Sequence, residues 1–331
     1  MEVNPPHNAI RIDDRSAIGE ARRVSSQIAE RARIKQADRG RVPLIVTELA
    51  TNLLLYAQNG EIVVGMLPAE AGPGVEISAI DHGPGISDVQ RCLTDGYSTH
   101  GTRGCGLGAV QRLSSEFDIY STRPGGTVVV SRVRDRAPGF PGEPQFSAIS
   151  VPFAGETECG DMWCIRWKGG RLAAVVIDGL GHGPHAAAAA RQAVEVFDQR
   201  PFDRPIGYLE AAHQALRSSR GAAIAAARVE LSSHQVCYAG IGNIEGRLLD
   251  SKQGGSKPLL SYNGIIGGQY RKLQEFQYQW NENDLLVMHS DGISARWKLN
   301  EYPGLLRADS RIIAAVLYRD AGVRAMTLQC W

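Results

Sequence analysis

The period of the apolar positions changes several times along the chain, and each change predicts an element. Between Ser16 and Lys35, Ile18, Ala21, Val24, Ile28 and Ala32 recur close to helical spacing, which predicts an amphipathic helix. Val42–Ala57 (VPLIVTELATNLLLYA) predicts a second helix, with Val42, Ile45, Val46, Leu49, Leu53 and Tyr56 on one face. Leu44, Leu54 and Leu55 make its other side apolar too, the pattern of a helix buried all round. Glu61–Leu67 and Val75–Ile80 read as short strands, Ala109–Ser115 as a helix, and Phe117–Ser121 and Gly126–Val133 as two strands joined by an RPGG turn.

After Arg134 the periodicity stops. Arg134–Gln145 (RDRAPGFPGEPQ) is rich in proline, glycine and charge, the composition of an extended linker. The expected organisation is a domain over 1–135, a linker over 136–145 and a second domain over 146–331. In the second domain Phe146–Val151 reads as a strand and Met162–Trp167 as an alternating one, where Trp163 and Trp167 fit a core better than a stacking platform. Leu172–Ile177 is a continuous apolar run, expected to be a buried strand. It stops at Asp178, turns through Gly179–Gly183 and restarts at Pro184 as an alanine-rich helix, with proline at a first helical position. Tyr208–Ser218 predicts a helix, Gly221–Glu230 and Gln235–Ile241 a strand pair, and Ile244–Leu249 and Asp284–His289 further strands. Ile312–Tyr318 predicts a last helix and Ala325–Trp331 a last strand.

Composition narrows the class. At 331 residues the length predicts about two domains. A hydrophobic share of 43% and a charged share of 21% are those of a folded soluble chain. The net charge of +1 argues against broad binding to nucleic acid or anionic membrane. No apolar run is long enough to span a bilayer, and the first residues lack the apolar core of a signal peptide. The six cysteines include no CxxC pair and read as reduced packing residues, so a cytoplasmic location is expected. The oligomeric state is not legible.

The candidate chemistry sits where strands end. Glu48 and Asn52 lie one turn apart on the apolar helix, and burying them unpartnered would cost several kcal/mol. They are either a satisfied core pair or part of a metal or phosphate site. Asp81 closes a strand and leads into Gly83 and Gly85. Gly104, Gly106 and Gly108 open a helix, where backbone N–H groups and the helix dipole favour phosphate. Their GxGxG spacing after a polar loop does not match a dinucleotide fingerprint. In the second half Asp161, Asp178 and Asp291 all stand at strand ends. Each could cap a turn. Brought together, however, they would repel one another unless a cation lay between them, and oxygen ligands select Mg²⁺ or Mn²⁺. Two such ions can share a carboxylate and activate water for in-line attack on phosphate. His182 and His185 lack the third ligand that a zinc site needs.

The order ELATN, DHGPGI, GTRGCGLGAV, GGTVVV resembles the histidine-kinase-like ATPase fold, an α/β sandwich. Within it the likeness over residues 10–135 is to the small serine kinases that regulate anti-anti-sigma factors in bacterial partner switching. The resemblance implies Glu48 as general base and Asn52 holding Mg²⁺ on the phosphates of ATP. It implies Asp81 as acceptor of the adenine amino group, with Gly83 and Gly85 shaping that turn and Thr127 beside it. Gly104, Gly106 and Gly108 would wrap the phosphates. Related domains also act as non-catalytic clamps, so both kinase and ATP-dependent binding module stay open. No phospho-accepting histidine helix precedes the domain, which argues against a sensor kinase.

GETECGDMW, VVIDGLGHG, AGIGNIEGRL and MHSDGI, over about 146–331, resemble the metal-dependent protein phosphatases of the 2C class, an αββα sandwich. The nearest subgroup is the SpoIIE type, which dephosphorylates anti-anti-sigma proteins and stressosome scaffolds. The resemblance implies that Asp178 bridges two metals at the catalytic centre, that Gly179 offers its carbonyl, and that Asp161 and Asp291 complete the shells. A STAS-domain phosphoprotein is then the expected partner. The chain departs from the family at its end. A DDxT-type aspartate pair is expected there, but the run is YRDAGVRAMTLQCW. Either Asp320 substitutes from about five positions earlier, or one metal is held by fewer carboxylates and the phosphatase half is weak or degenerate.

Overall fold

A computed structural model of the chain describes residues 6–68, 71–94, 106–135, 145–153, 155–250, 255–281 and 284–322, together with the backbone of 326–330. It divides into two compact units, one of His7–Phe140 and one built from Pro141–Trp331.

In the N-terminal unit, strands β1 (Asn8–Arg11), β2 (Glu61–Met66), β3 (Gly74–Ile80), β4 (Glu116–Thr122) and β5 (Gly126–Arg134) form an antiparallel sheet in the order β1-β2-β3-β5-β4. Its helices are α1 (Arg15–Arg31), α2 (Gln36–Arg39), α3 (Arg41–Tyr56), α4 (Val89–Leu93) and α5 (Gly106–Leu113). Asp14 fixes the start of α1 by accepting from the N–H groups of Ser16 (2.7 Å) and Ala17 (3.1 Å), a cap worth about 1 kcal/mol. Val42, Ile45, Val46, Leu49 and Leu53 of α3 pack with Ala21 and Ile28 of α1 onto Ile62, Val64, Val75 and Ile77 of the sheet. The expectation of a helix buried all round is corrected here. Leu44 and Leu55 are each 55% exposed and Tyr56 is 39% exposed. A helix lying on a sheet buries one stripe, whatever residues its outer face carries.

The C-terminal unit has two sheets. Strands β6 (Ser147–Val151), β7 (Asp161–Lys168), β8 (Arg171–Gly179), β9 (Ala222–Glu230), β10 (Gln235–Ile241), β11 (Glu245–Leu249), β12 (Ser256–Leu259), β13 (Phe276–Gln279), β14 (Leu285–His289) and β15 (Met326–Cys330) assemble in the orders β13-β10-β9-β8-β7 and β12-β11-β14-β15-β6. Helices α6 (Pro184–Gln199), α7 (Pro205–Ala215) and α8 (Ser310–Ala321) complete it. Strand β8 shows why its sequence is apolar without alternation. Leu172, Ala174 and Val176 enter the core shared with Leu248, Leu286 and Met288 of the other sheet. Ala173, Val175 and Ile177 enter a second core with Ala189, Ala190, Ala193 and Phe197 of α6 and Leu209 of α7. Successive side chains point to opposite faces, so a strand covered on both must be apolar throughout. Trp163 lies in the inter-sheet core, and Trp167 packs against it. No helix among the described residues is long and apolar enough to cross a membrane.

Candidate active sites

In the N-terminal unit, Glu48 and Asn52 project from α3 toward the first residue of α5. A Cβ placed on Gly106 would lie 3.3 Å from Asn52 Nδ2 and 3.7 Å from Glu48 Oε2. A carboxylate, an amide and the first residue of α5 therefore border one space, which suits a phosphate with its cation. Gly108 follows within α5 and is buried, while Gly104 lies outside the described residues. Asp81 is buried at the end of β3. Its Oδ1 accepts from Gly83 N (2.6 Å) and Thr127 N (3.2 Å), and the Thr127 hydroxyl is 2.9 Å from that of Ser121. Gly85 has a φ of +70°, and a Cβ there would fall 2.1 Å from the Thr122 carbonyl oxygen. Only glycine fits that turn. The Asp81 carboxylate is thus locked in place against backbone on both sides.

In the C-terminal unit the acidic residues meet at one cleft. Asp161 opens β7 and Asp178 nearly closes β8, and the antiparallel register sets them directly opposite each other. Like charges facing across a strand pair destabilise it. Burial, reinforced by Asp178 and Asp291, pushes the Asp161 carboxyl well above its ordinary range. Burial and the Asp291 charge push Asp178 up to about 6, against the hydrogen bond from Asn243. Asn243 Nδ2 donates to Asp178 Oδ2 at 3.1 Å, and Ser290 Oγ donates to Asp161 Oδ2 at 2.5 Å. An open cleft of about 850 Å³ is lined by Asp161, Asp178, Asp291, Glu158, Asn243 and His182, with Phe153, Leu180 and Ile265 as apolar surface. Its described lining contains no lysine or arginine. Glu158 is paired with Arg191 (2.8 Å), which leaves Asp161, Asp178 and Asp291 as three oxygen donors for a hard divalent ion, so the residues fit the expected metal. Among the described residues, however, no three acidic, histidine or cysteine side chains close into a ready metal cage.

Gly179 follows Asp178 at the point where α6 crosses closest to β8. A Cβ on Gly179 would lie 2.2 Å from the Ala186 carbonyl oxygen. His182, on the turn after β8, has Nδ1 2.7 Å from Glu156 Oε1 and stacks on Phe153 with ring centroids 6.0 Å apart. Asp320 stands away from the described cleft lining. Arg319 grips its carboxylate through Nε (2.7 Å) and Nη2 (2.8 Å). Asn243, Ser290 and Glu156 are the site residues that sequence reasoning does not single out, and His182 is weighed there only as a zinc ligand. The glycine at 242, with a φ of +100° beside Asn243, is the available signal for the first of them.

One unit is a helix-covered sheet whose acidic and amide side chains border a glycine, and the other is a two-sheet unit with opposed strand-end aspartates: the class is a two-domain α/β protein with a candidate site in each unit. Comparisons with known proteins give the families. Residues 13–145 match the family described as histidine kinase-like ATPase domain, and residues 168–321 match stage II sporulation protein E (SpoIIE). The serine/threonine-protein kinase RsbT of Bacillus subtilis (strain 168) is 34% identical over 122 residues, which are 37% of this chain and 92% of RsbT. A solved structure from the bacterial stressosome, described as a modular system adapted to control secondary messenger signaling, is 26% identical with a TM-score of 0.52, covering 56% of this chain and 98% of that one. RsbX in complex with magnesium is 19% identical with a TM-score of 0.50, covering 56% and 94%, and shows the fold alone. The chain belongs to the family of the kinase RsbT through its N-terminal unit, and its C-terminal unit carries the SpoIIE match over residues 168–321.

Proposed function

We propose that the protein resets a phosphorylated switch protein of the STAS type. Its C-terminal unit would remove phosphate from phosphoserine or phosphothreonine with Mn²⁺ or Mg²⁺, and its N-terminal unit would bind ATP with Mg²⁺ and act on the same partner. The observation that carries the reading is the direct opposition of Asp161 and Asp178 across β7 and β8, with Asp291 on the same cleft. Asp161, Asp178, Asp291 and the Gly179 carbonyl are the groups that would hold the metal. A divalent ion held there would supply Lewis acidity toward the phosphoryl oxygens and toward water. The chain does the rest. Asn243 orients Asp178, and Ser290 orients Asp161. His182, with Nδ1 turned to Glu156, stands on the same cleft wall. In the other unit Asp81 would take the adenine amino group, Gly83, Gly85 and Thr127 would shape its seat, and Gly104, Gly106 and Gly108 would face the phosphates. Asn52 would hold Mg²⁺, and Glu48 would serve as base.

The partner class is supported by the kinase RsbT and the stressosome protein among the similar proteins. The test incubates the full chain with phosphorylated and unphosphorylated STAS-domain proteins. Phosphate removed with Mn²⁺ should vanish in Asp178→Ala and persist in Glu48→Ala, while phosphate added from ATP should show the reverse. If no STAS protein gains or loses phosphate under either condition, the reading is wrong. A second reading, an ATP-dependent clamp in place of a kinase, is favoured by the exposed Leu44 and Leu55 on the helix that carries Glu48 and Asn52. It predicts partner binding that survives Glu48→Ala and is lost with Asn52→Ala.

Nucleotide binding has its own expected result. Asp81→Asn places an amide where a carboxylate accepts two N–H groups, and should weaken ATP affinity at least about tenfold, as charge-assisted hydrogen bonds of about 1.5–3 kcal/mol are lost. Equal affinity for a fluorescent ATP analogue in both proteins would remove Asp81 from the nucleotide site.

A further inference from the structure

Strand β14 ends in His289-Ser290-Asp291, and the last two of these serve the cleft: Ser290 Oγ bonds Asp161, and Asp291 lines the wall. The residue behind them is a histidine held at both ring nitrogens. His289 is 2% exposed, and its Nδ1 lies 2.8 Å from the Ser290 carbonyl oxygen. A carbonyl only accepts, so Nδ1 carries a proton and donates it. On the other side Nε2 lies 3.1 Å from Trp297 Nε1, which can only donate, and 3.3 Å from Glu245 Oε2. Glu245 faces His289 directly across β11 and β14.

Trp297 is itself fixed. The Arg247 guanidinium lies over its indole, 4.5 Å from the ring centroid, and donates to the Trp297 carbonyl at 3.3 Å and to the Ala295 carbonyl. Arg247 also reaches Glu245 at 3.3 Å. The His289 and Trp297 rings meet edge-on, with centroids 6.0 Å apart at 62°. Nε2 accepts from Trp297 and so has no proton for Glu245, whose carboxylate is reached by Arg247; Arg247 and Trp297 therefore immobilise the imidazole, and its Nδ1–H holds the Ser290 carbonyl. That carbonyl begins the turn that aims Ser290 and Asp291.

We propose that His289 is a positioning residue of the phosphatase cleft, clamped by Trp297 so that its Nδ1–H fixes the Ser290–Asp291 turn and with it the aim of Asp161 and Asp291 at a divalent cation. This rests on the reading of the cleft as a metal site. Such supporting contacts set ligand geometry, and their loss typically weakens metal binding by about 10–100-fold.

The test titrates the full chain with Mn²⁺ alone by calorimetry and records the melting temperature of each metal-free protein. His289→Leu keeps the volume and deletes the donor, and should weaken Mn²⁺ binding by about tenfold or more. His289→Asn sets an amide N–H near the former Nδ1 and should recover affinity to within about threefold of wild type, the donor being what matters. Trp297→Phe frees the imidazole while keeping an aromatic ring, and should give a loss between these two. A purely structural histidine would lower the melting temperature of His289→Leu and leave Mn²⁺ affinity unchanged, which overturns the inference. Asparagine binding Mn²⁺ no better than leucine overturns it too. Should His289→Leu not fold, wild-type affinity in Trp297→Phe is the overturning result. A wild-type protein that takes up no Mn²⁺ instead overturns the metal reading of the cleft, and the inference falls with it.

Discussion

An Asp178→Asn variant is expected to lose Mn²⁺-dependent hydrolysis of p-nitrophenyl phosphate by at least about 10³-fold, the several kcal/mol that metal ions contribute to phosphoryl transfer. The same variant is expected to melt higher than wild type when both are metal-free. The two effects have one cause. Asp178 is pushed up to about 6 by burial and by the Asp291 charge, and its burial beside Asp161 costs folding energy near neutral pH. Asparagine removes that charge, keeps an oxygen for Asn243 to donate to, and fills the same volume. The gain should be about 1–2 kcal/mol, or about 2–4 °C in a unit of this size. Adding Mn²⁺ should then raise the wild-type melting temperature and leave the variant nearly unmoved, since only a protein that binds the ligand is stabilised by it. Retained hydrolysis would show that the chemistry lies elsewhere. A lower metal-free melting temperature would show that the opposed carboxylates are not a stored cost.

Much of this site is legible in the sequence, because its parts lie where patterns break. A strand pattern must end somewhere, and Asp161, Asp178 and Asp291 all stand at such ends, the first at an alternating strand and the others after apolar runs. Their convergence is not legible. Asp161 and Asp178 meet because β7 and β8 pair in a register that sets Lys168 opposite Arg171, and register depends on which face each strand buries. Asn243, Ser290 and His289 leave no clear mark, since an amide, a hydroxyl and an imidazole become site residues only through a partner distant in sequence. Strands β1, β12 and β13 escape the pattern for a related reason. Each is four residues long at a sheet margin, too short to carry a period. The exposure of Leu44 and Leu55 runs against the pattern because apolar composition tells how a helix could be covered, and the sheet beneath α3 covers one side only. The sequence shows the shortage of carboxylates at the C-terminus but not its remedy. Asp320 stands on α8 beside Arg319, and pairing with that guanidinium takes up its carboxylate.

Gly179→Ala should destabilise the C-terminal unit by about 3 kcal/mol, at the upper end of overpacking costs, because the added methyl meets backbone. Its Cβ would lie 2.2 Å from the Ala186 carbonyl oxygen and 2.8 Å from the carbon behind it. Side chains can rotate away from such a contact, but here α6 would have to lift from β8. That helix is seated by Ala189, Ala190, Ala193 and Phe197 against Val175 and Ile177, and its alanines are what allow so close an approach. Lifting it would also shift the 179–183 turn that carries His182. The matched control is Gly207→Ala in α7, where nothing lies within 4 Å of the new methyl and the backbone is helical. That change should stabilise by about 0.5–1 kcal/mol, since alanine loses less chain entropy in a helix than glycine does. Urea unfolding of the two variants beside wild type measures both values. If Gly179→Ala and Gly207→Ala shift the midpoint alike, the glycine after Asp178 is not there for the helix crossing.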